Sequence, residues 1–266
     1  MPDVLALVLS SPLQSWGVAT RYNTRGTLSQ PTKSGVIGLC AAALGRPRGA
    51  DLSDLAALRF GVRVDRPGTL LVDYHTMSAA SHGPLDPQRQ RLPTADGKTP
   101  LKPGEGKVSR RHYLQDAVFV AAFEGEGPRQ AALLAAVRDA LKAPRYPLSL
   151  GRRSCPPDRP VLVGLFSGIA LERSLQDMDD GIPWEGATAW QKWAAERDGV
   201  EPTPPGPLPV TVDDPEGDDL YPDLPAGGEA FNRVFGQRPV RHLVTTDAGP
   251  PRFDGDDAMD LLDGED

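Results

Sequence analysis

The chain has 266 residues, a mass of 28.5 kDa and a formal net charge of −7, enough to bury a sizeable core as one large domain or two small ones. Gly and Pro number 28 each, together about a fifth of the chain and short of the ~25–30% of low-complexity sequence, so collagen-like, coiled-coil and fully disordered readings are excluded. The longest apolar run, residues 36–44, falls far below the ~18–20 residues of a membrane helix, and Met1-Pro2-Asp3 offers no basic n-region, so no signal peptide is expected. Cys40 and Cys155 fit no metal or redox spacing, so a cytoplasmic protein is expected.

Charge is divided along the chain. Residues 1–175 carry 23 Lys and Arg against 14 Asp and Glu, a balance of +9, whereas residues 176–266 carry 6 against 22, a balance of −16. A basic front portion is the footprint of a nucleic-acid partner, because each cation placed on a phosphate releases condensed counterions. An acidic tail is also a common solubilising device.

In chain order, residues 4–9 are continuously apolar and predict a strand buried on both faces. Pro31-Thr32 opens a helix whose apolar side holds Val36, Ile37, Leu39, Cys40, Ala43 and Leu44, with Gly45 at the stop. Residues 60–64 and 69–72 flank Asp65-Arg66-Pro67-Gly68 and predict a hairpin. Residues 78–107 are polar and too long for an ordinary connection, which predicts a functional insertion or a mobile lobe. Residues 113–123 predict one strand and residues 128–141 a helix. Residues 148–150 and 161–166 predict two further strands around Gly151-Arg152-Arg153-Ser154-Cys155-Pro156-Pro157. Trp184, Trp190 and Trp193 are expected to cap the core from a short helix, residues 199–229 to be irregular, and residues 238–245 to form a last strand before an acidic tail from residue 254. The order strand, helix, strand, strand, helix, strand predicts an α+β, ferredoxin-like βαββαβ domain over residues 1–175, followed by an irregular acidic extension at 176–266. That topology serves many functions.

Three constellations carry chemistry. Thr32-Lys33-Ser34 lacks the glycines of a triphosphate-binding loop, which leaves a helix N-terminus suited to one phosphate through Lys33 and Ser34, or an ordinary cap. Asp73-Tyr74-His75-Thr76 and Arg110-Arg111-His112-Tyr113 stand at strand ends. If they neighbour in a sheet, they can grip RNA through phosphates, 2′-hydroxyls and stacking, or cleave it without metal using His75 or His112 as base. Arg145-Tyr146 and Gly151-Arg152-Arg153-Ser154 offer loop arginines to a phosphodiester. The four histidines have no partner at ligand spacing, so no metal or cofactor is expected.

Leu13-Gln14-Ser15-Trp16-Gly17, Pro31-Thr32-Lys33-Ser34-Gly35-Val36-Ile37-Gly38, Asp73-Tyr74-His75-Thr76, Tyr113-Leu114-Gln115-Asp116-Ala117 and Leu150-Gly151-Arg152-Arg153-Ser154-Cys155-Pro156 follow one another in order. Together they resemble the CasD family, the small RAMP-superfamily subunit of the type I-E CRISPR Cascade complex, over about residues 1–170. The resemblance implies a RAMP domain with a protruding thumb, mapped to the insertion at 77–110, in a non-catalytic subunit that holds the 5′ handle of crRNA and contacts the adjacent backbone subunit and the large PAM-reading subunit; from the short apolar runs no membrane partner is expected. The expected RNA-binding residues are Ser15, Trp16, Arg21, Arg25, Lys33, Ser34, His75, Arg110, Arg111, Tyr113, Arg145, Arg152 and Arg153. The rival expectation is a metal-independent endoribonuclease that processes CRISPR repeat RNA.

Overall fold

A computed structural model describes residues 1–17, 23–78, 106–229 and 232–246. The first half runs through strands β1 (Asp3–Ser10), β2 (Leu13–Gln14) and β3 (Thr24–Arg25), helices α1 (Lys33–Ala43) and α2 (Ser53–Ala56), and strands β4 (Arg59–Arg66), β5 (Thr69–Ser78), β6 (Gly106–Gln115) and β7 (Val118–Gly125). Helix α3 (Gly127–Lys142), strand β8 (Leu162–Ser167), helices α4 (Leu171–Gln176) and α5 (Ala189–Asp198), and strands β9 (Pro209–Asp213), β10 (Asp219–Glu229) and β11 (Asn232–Val244) follow.

Seven strands form one antiparallel sheet in the order β10-β11-β9-β4-β7-β1-β8. Alternate residues of β1 serve two cores, which is why its sequence reads as an unbroken apolar run. Leu5, Leu7 and Leu9 meet Ile37 and Cys40 of α1 and Leu134 and Val137 of α3. Val4 and Ala6 join Val120, Ala122, Leu171, Leu175, Val210 and Val212 on the opposite face. Helix α1 starts where Thr32 Oγ1 accepts a hydrogen bond from the Gly35 amide at 3.2 Å and stops at Gly45, whose φ of 75° suits glycine. Burial pushes the Cys40 thiol up to about 12, so it is an inert core group.

The run 113–123 is two strands. Asp116, at φ 58°, breaks it, a left-handed conformation that a short polar side chain tolerates. The Gln14 amide spans the break, donating to Leu9 O at 3.0 Å and Ala117 O at 2.7 Å. Before the break, β6 belongs to a second sheet with β2, β3 and β5; after it, β7 enters the main sheet. Strands β5 and β6 pair without interruption from Thr69↔Gln115 to Ser78↔Gly106 and form the base of an arm. Most of the expected insertion, residues 79–105, lies outside the described residues, as do Arg21 and the acidic tail from residue 254.

The irregular reading of 199–229 is corrected. Strands β9 and β10 lie there, and β9 pairs with β4 in the main sheet. Main-chain pairing needs only that Val210 and Val212 turn into the second core, so acidic neighbours do not prevent it. Residues 148–150 are not a strand. Leu150 N donates to Cys155 O at 2.7 Å and Cys155 N to Arg152 O at 2.9 Å, closing a compact loop.

Candidate nucleic-acid interface

The β5–β6 ladder brings the two strand-end clusters together and divides them between its faces. Successive side chains of a strand point to opposite faces, and residues directly opposite share one. The register pairs Asp73 with Arg111, His75 with Ser109 and Leu71 with Tyr113, which places them on one face; Val72, Tyr74, Arg110 and His112 take the other. His75 and His112, Tyr74 and Tyr113, and Arg110 and Arg111 are therefore separated by the pleat. His75 keeps Asp73 as its neighbour, with Nδ1 3.7 Å from Oδ2.

The face with Arg111 and Tyr113 continues into β3, where Arg25 stands beside Arg111 in a parallel pairing. Arg152 reaches over it from the 150–155 loop. Its Nη1 donates to His112 O at 3.1 Å, and its Nη2 to Arg25 O at 2.8 Å and Gly26 O at 3.3 Å. The guanidinium carbon lies 4.7 Å from the centre of the Tyr113 ring. Burial opposes ionisation of the Tyr113 phenol, but the contact with Ser154 and the Arg152 charge outweigh it and hold its pKa below the usual value. Tyr113 is 5% exposed under this cover, so it supports the face rather than offering a ring to a base. Arg25 and Arg153 are exposed, and Arg111 is half-buried with Nε donating to Ser109 Oγ at 3.3 Å.

Ser15 and Trp16 form the floor. Ser15 Oγ donates to His112 O at 3.1 Å, and Ser15 N to Leu150 O at 3.2 Å. Trp16 is 1% exposed; its indole donates to Gln14 Oε1 at 3.1 Å, and its ring lies where a Cβ on Gly35 would fall. Expected among the RNA-binding residues, Trp16 is a core residue in this structure, its ring packed beneath Gly35 and its amide bonded to Thr27 Oγ1 at 2.8 Å. Gly151, at φ 85°, lies so near the Ser15 carbonyl oxygen that a Cβ would collide with it.

Lys33 is corrected as a phosphate ligand. It is 3% exposed, with Nζ donating to Leu58 O at 2.6 Å and to Asp213 Oδ2 at 2.8 Å. Burial lowers its pKa against the pull of Asp213. The anion at the start of α1 is the protein's own: Lys33 N donates to Asp223 Oδ2 at 2.7 Å. Arg238 bridges the two carboxylates, donating to Asp223 at 2.6 and 3.1 Å and also to Asp213. Ser34, in the first turn, is half-buried beside this network. Arg145 stands apart from the Arg152 loop, exposed at the C-terminal end of α1, where its amide donates to Ala43 O at 3.0 Å.

The exposed apolar side chains on the other face of the arm, Leu70, Val72, Tyr74 and Val108, were missed; the alternation at 70, 72 and 74 was their signal. Trp190 and Trp193 do not cap the core. They are 68% and 47% exposed on α5, which buries no residue and is held by its Thr188–Gln191 capping box and a left-handed Gly199. Among the described residues, no group of His, Cys, Asp and Glu could hold a metal, and no helix is long and apolar enough to cross a membrane.

A family model described as CRISPR-associated protein (Cas_Cas5) matches residues 4–241. The chain is 36% identical over 179 residues to the CRISPR system Cascade subunit CasD of Escherichia coli (strain K12), a span of 66% of this chain and 76% of that relative. A solved chain described as a Cas protein superposes with a TM-score of 0.59 at 36% identity, covering 93% of this chain and 100% of the other. A chain from a CRISPR RNA-guided surveillance complex gives a TM-score of 0.63 at 30% identity, covering 94% and 95%. The two sheets, the arm and the loop arginines thus sit in a chain that belongs to the Cas5 family of CRISPR-associated proteins.

Proposed function

We propose that this chain is the crRNA-binding structural subunit of a type I-E CRISPR surveillance complex, holding the 5′ handle of the guide and joining the backbone and large subunits in the cytoplasm. The likeness to CasD and to a chain of an RNA-guided surveillance complex supports the assignment. The observation that carries the RNA-binding reading is the cationic face on the second sheet. Arg25 and Arg111 stand side by side, and Arg153 is exposed next to the Arg152 that covers the same face. His75 flanks it through its pairing with Ser109. Arg110, on the other face of the ladder, and Arg145, at the end of α1, are exposed cations apart from this face, and Ser15, Trp16 and Tyr113 hold its floor. Single-stranded RNA is gripped by such groups through phosphates and 2′-hydroxyls.

The ferredoxin-like assignment is supported by β1, β4, β7 and β8. In chain order they follow the strand-helix-strand-strand-helix-strand pattern with α1 and α3, and they lie in the spatial order β4-β7-β1-β8. The proposed thumb over 77–110 grows from the β5–β6 arm. The division at residue 175 is kept as one of roles: the front unit meets RNA, and the following residues complete the sheet.

The non-catalytic reading is supported against a nuclease that pairs two imidazoles by the pleat, which keeps His75 and His112 on opposite faces; a nuclease with one histidine as base is separated from it by the test. The test is photocrosslinking of a reconstituted complex carrying a guide with 4-thiouridine in its handle, alongside incubation of this chain with repeat RNA in EDTA. Crosslinks to the peptides containing Arg25, Arg111 and Arg153, with the repeat left intact, are expected. Site-specific cleavage lost in His75→Ala would replace this reading with the nuclease.

A further inference from the structure

We infer that Arg152 is a positioning residue rather than a phosphate ligand: it fixes the place of Arg25, and its neighbour Arg153 makes the outward contact. The inference rests on the RNA-binding reading of this face. Strand β3 has two residues and, among the described residues, pairs with β6 alone, in parallel, a slanted and slightly weaker ladder than the antiparallel one. Such a short strand needs ties from elsewhere. The Arg110 amide donates to Asn23 O at 2.7 Å, His112 Nδ1 lies 3.3 Å from Arg25 O, and the Trp16 and Leu28 amides anchor the turn that follows at Thr27 Oγ1 and Trp16 O. Arg152 supplies the tie that reaches both strands at once. One edge of its guanidinium meets His112 O on β6, and the other meets Arg25 O and Gly26 O on and after β3.

This use requires an arginine. A planar fork can bridge carbonyls on two strands while lying against the Tyr113 ring; a lysine ammonium is a point donor on a flexible stem and cannot do both. Arg152 is itself fixed. Gly151 brings its backbone against Ser15, the 150–155 loop is closed by its own amides, and Ser15 Oγ donates to the same His112 carbonyl that Arg152 uses. With these bonds satisfied by main chain, the guanidinium has a partner set that an RNA phosphate would have to break. Two adjacent arginines in one motif therefore have opposite duties.

The test measures binding of fluorescein-labelled guide RNA to the full chain by anisotropy across a salt series, together with backbone hydrogen exchange in the free protein. Arg152→Lys is expected to weaken binding about tenfold, as much as Arg152→Ala, because the charge without the fork does not hold β3. Arg153→Ala is expected to weaken binding and to make the salt slope shallower by about 0.7, the signature of one lost phosphate contact on a single strand. Adding Arg25→Ala to Arg152→Lys is expected to cost nothing further, and exchange in the peptide spanning residues 23–28 is expected to rise while the melting temperature moves by less than ~2 °C. Parental affinity in Arg152→Lys, or additive losses with Arg25→Ala, would overturn the inference and make Arg152 a phosphate contact. Unchanged binding in both Arg25→Ala and Arg153→Ala would overturn the RNA-binding reading instead, while the exchange of residues 23–28 in Arg152→Lys still decides whether Arg152 holds β3.

Discussion

Two sets of cations in this chain look alike in sequence and have opposite uses. Lys33, Arg63 and Arg238 face inward. Lys33 and Arg238 share Asp213 and Asp223, and Arg63, 0% exposed, is bound to Asp65 at 2.6 Å and to the carbonyls of Leu175, Ile182 and Pro183. Arg25, Arg111 and Arg153 lie on or beside the second sheet, half-buried or exposed, with Asp73 directly opposite Arg111 in the register. The comparison teaches that a count of cations measures potential and not placement. The carboxylates that turn Lys33 inward come from strands 180 and 190 residues away, so nothing near Lys33 in sequence announces them.

The largest effects should come from the inward set. Arg238→Met leaves Asp213 and Asp223 facing each other in a buried site and is expected to destabilise the protein by about 3–5 kcal/mol in urea unfolding, while the salt dependence of RNA binding by the remaining folded protein is unchanged. A loss below about 1 kcal/mol would mean that the network holds nothing together. Trp16→Ala is expected to cost a similar ~3–5 kcal/mol, as a cavity under the loops; a fall in RNA affinity at unchanged stability would return Trp16 to the RNA surface. Gly151→Ala, strained at positive φ and against Ser15, is expected to cost about 1–3 kcal/mol. An unshifted unfolding midpoint would show that the 150–155 loop is not seated as described. The smallest effect belongs to a peripheral pair. Arg46 binds Asp54 at 2.6 Å, and the Arg46 hydrogen bond holds the Asp54 carboxyl below its ordinary range. Its contribution is present above the unfolded carboxylate value and is lost as pH falls through the lower folded value. Asp54→Asn is expected to remove about 0.5 kcal/mol at neutral pH and to flatten that acid limb; an unchanged acid limb would exclude the pair as its source.

Much of the architecture was legible because it is local or periodic. The unbroken apolar run of β1, the Thr32 cap and Gly45 stop of α1, and the spacing of Leu134, Val137 and Leu141 on α3 each encode their element in a few residues. The break at Asp116 was hidden because the polar pair Gln115-Asp116 lies between two strand-like apolar stretches, and the turn is fixed by distant partners such as the Gln14 amide on Ala117 O. Strand β9 was hidden because β4, the partner that seats it in the sheet, is distant in the chain, and β10 because its Pro, Gly and acidic residues mask any alternation, although its partner β11 follows directly. In the candidate site, the residue types were legible and their burial was not. Tyr113, Trp16 and Lys33 have the chemistry of RNA ligands, but tertiary closure turns each of them to structural use.

The most direct test of the cationic face is the salt dependence of guide-RNA binding when Arg25, Arg111 and Arg153 are replaced together by Ala in the full chain. Each phosphate contact on a single strand contributes about 0.7 to the slope of log affinity against log salt concentration. The account predicts a slope shallower by roughly 2, with the unfolding midpoint unmoved. An unchanged slope would contradict it and place the guide on another surface.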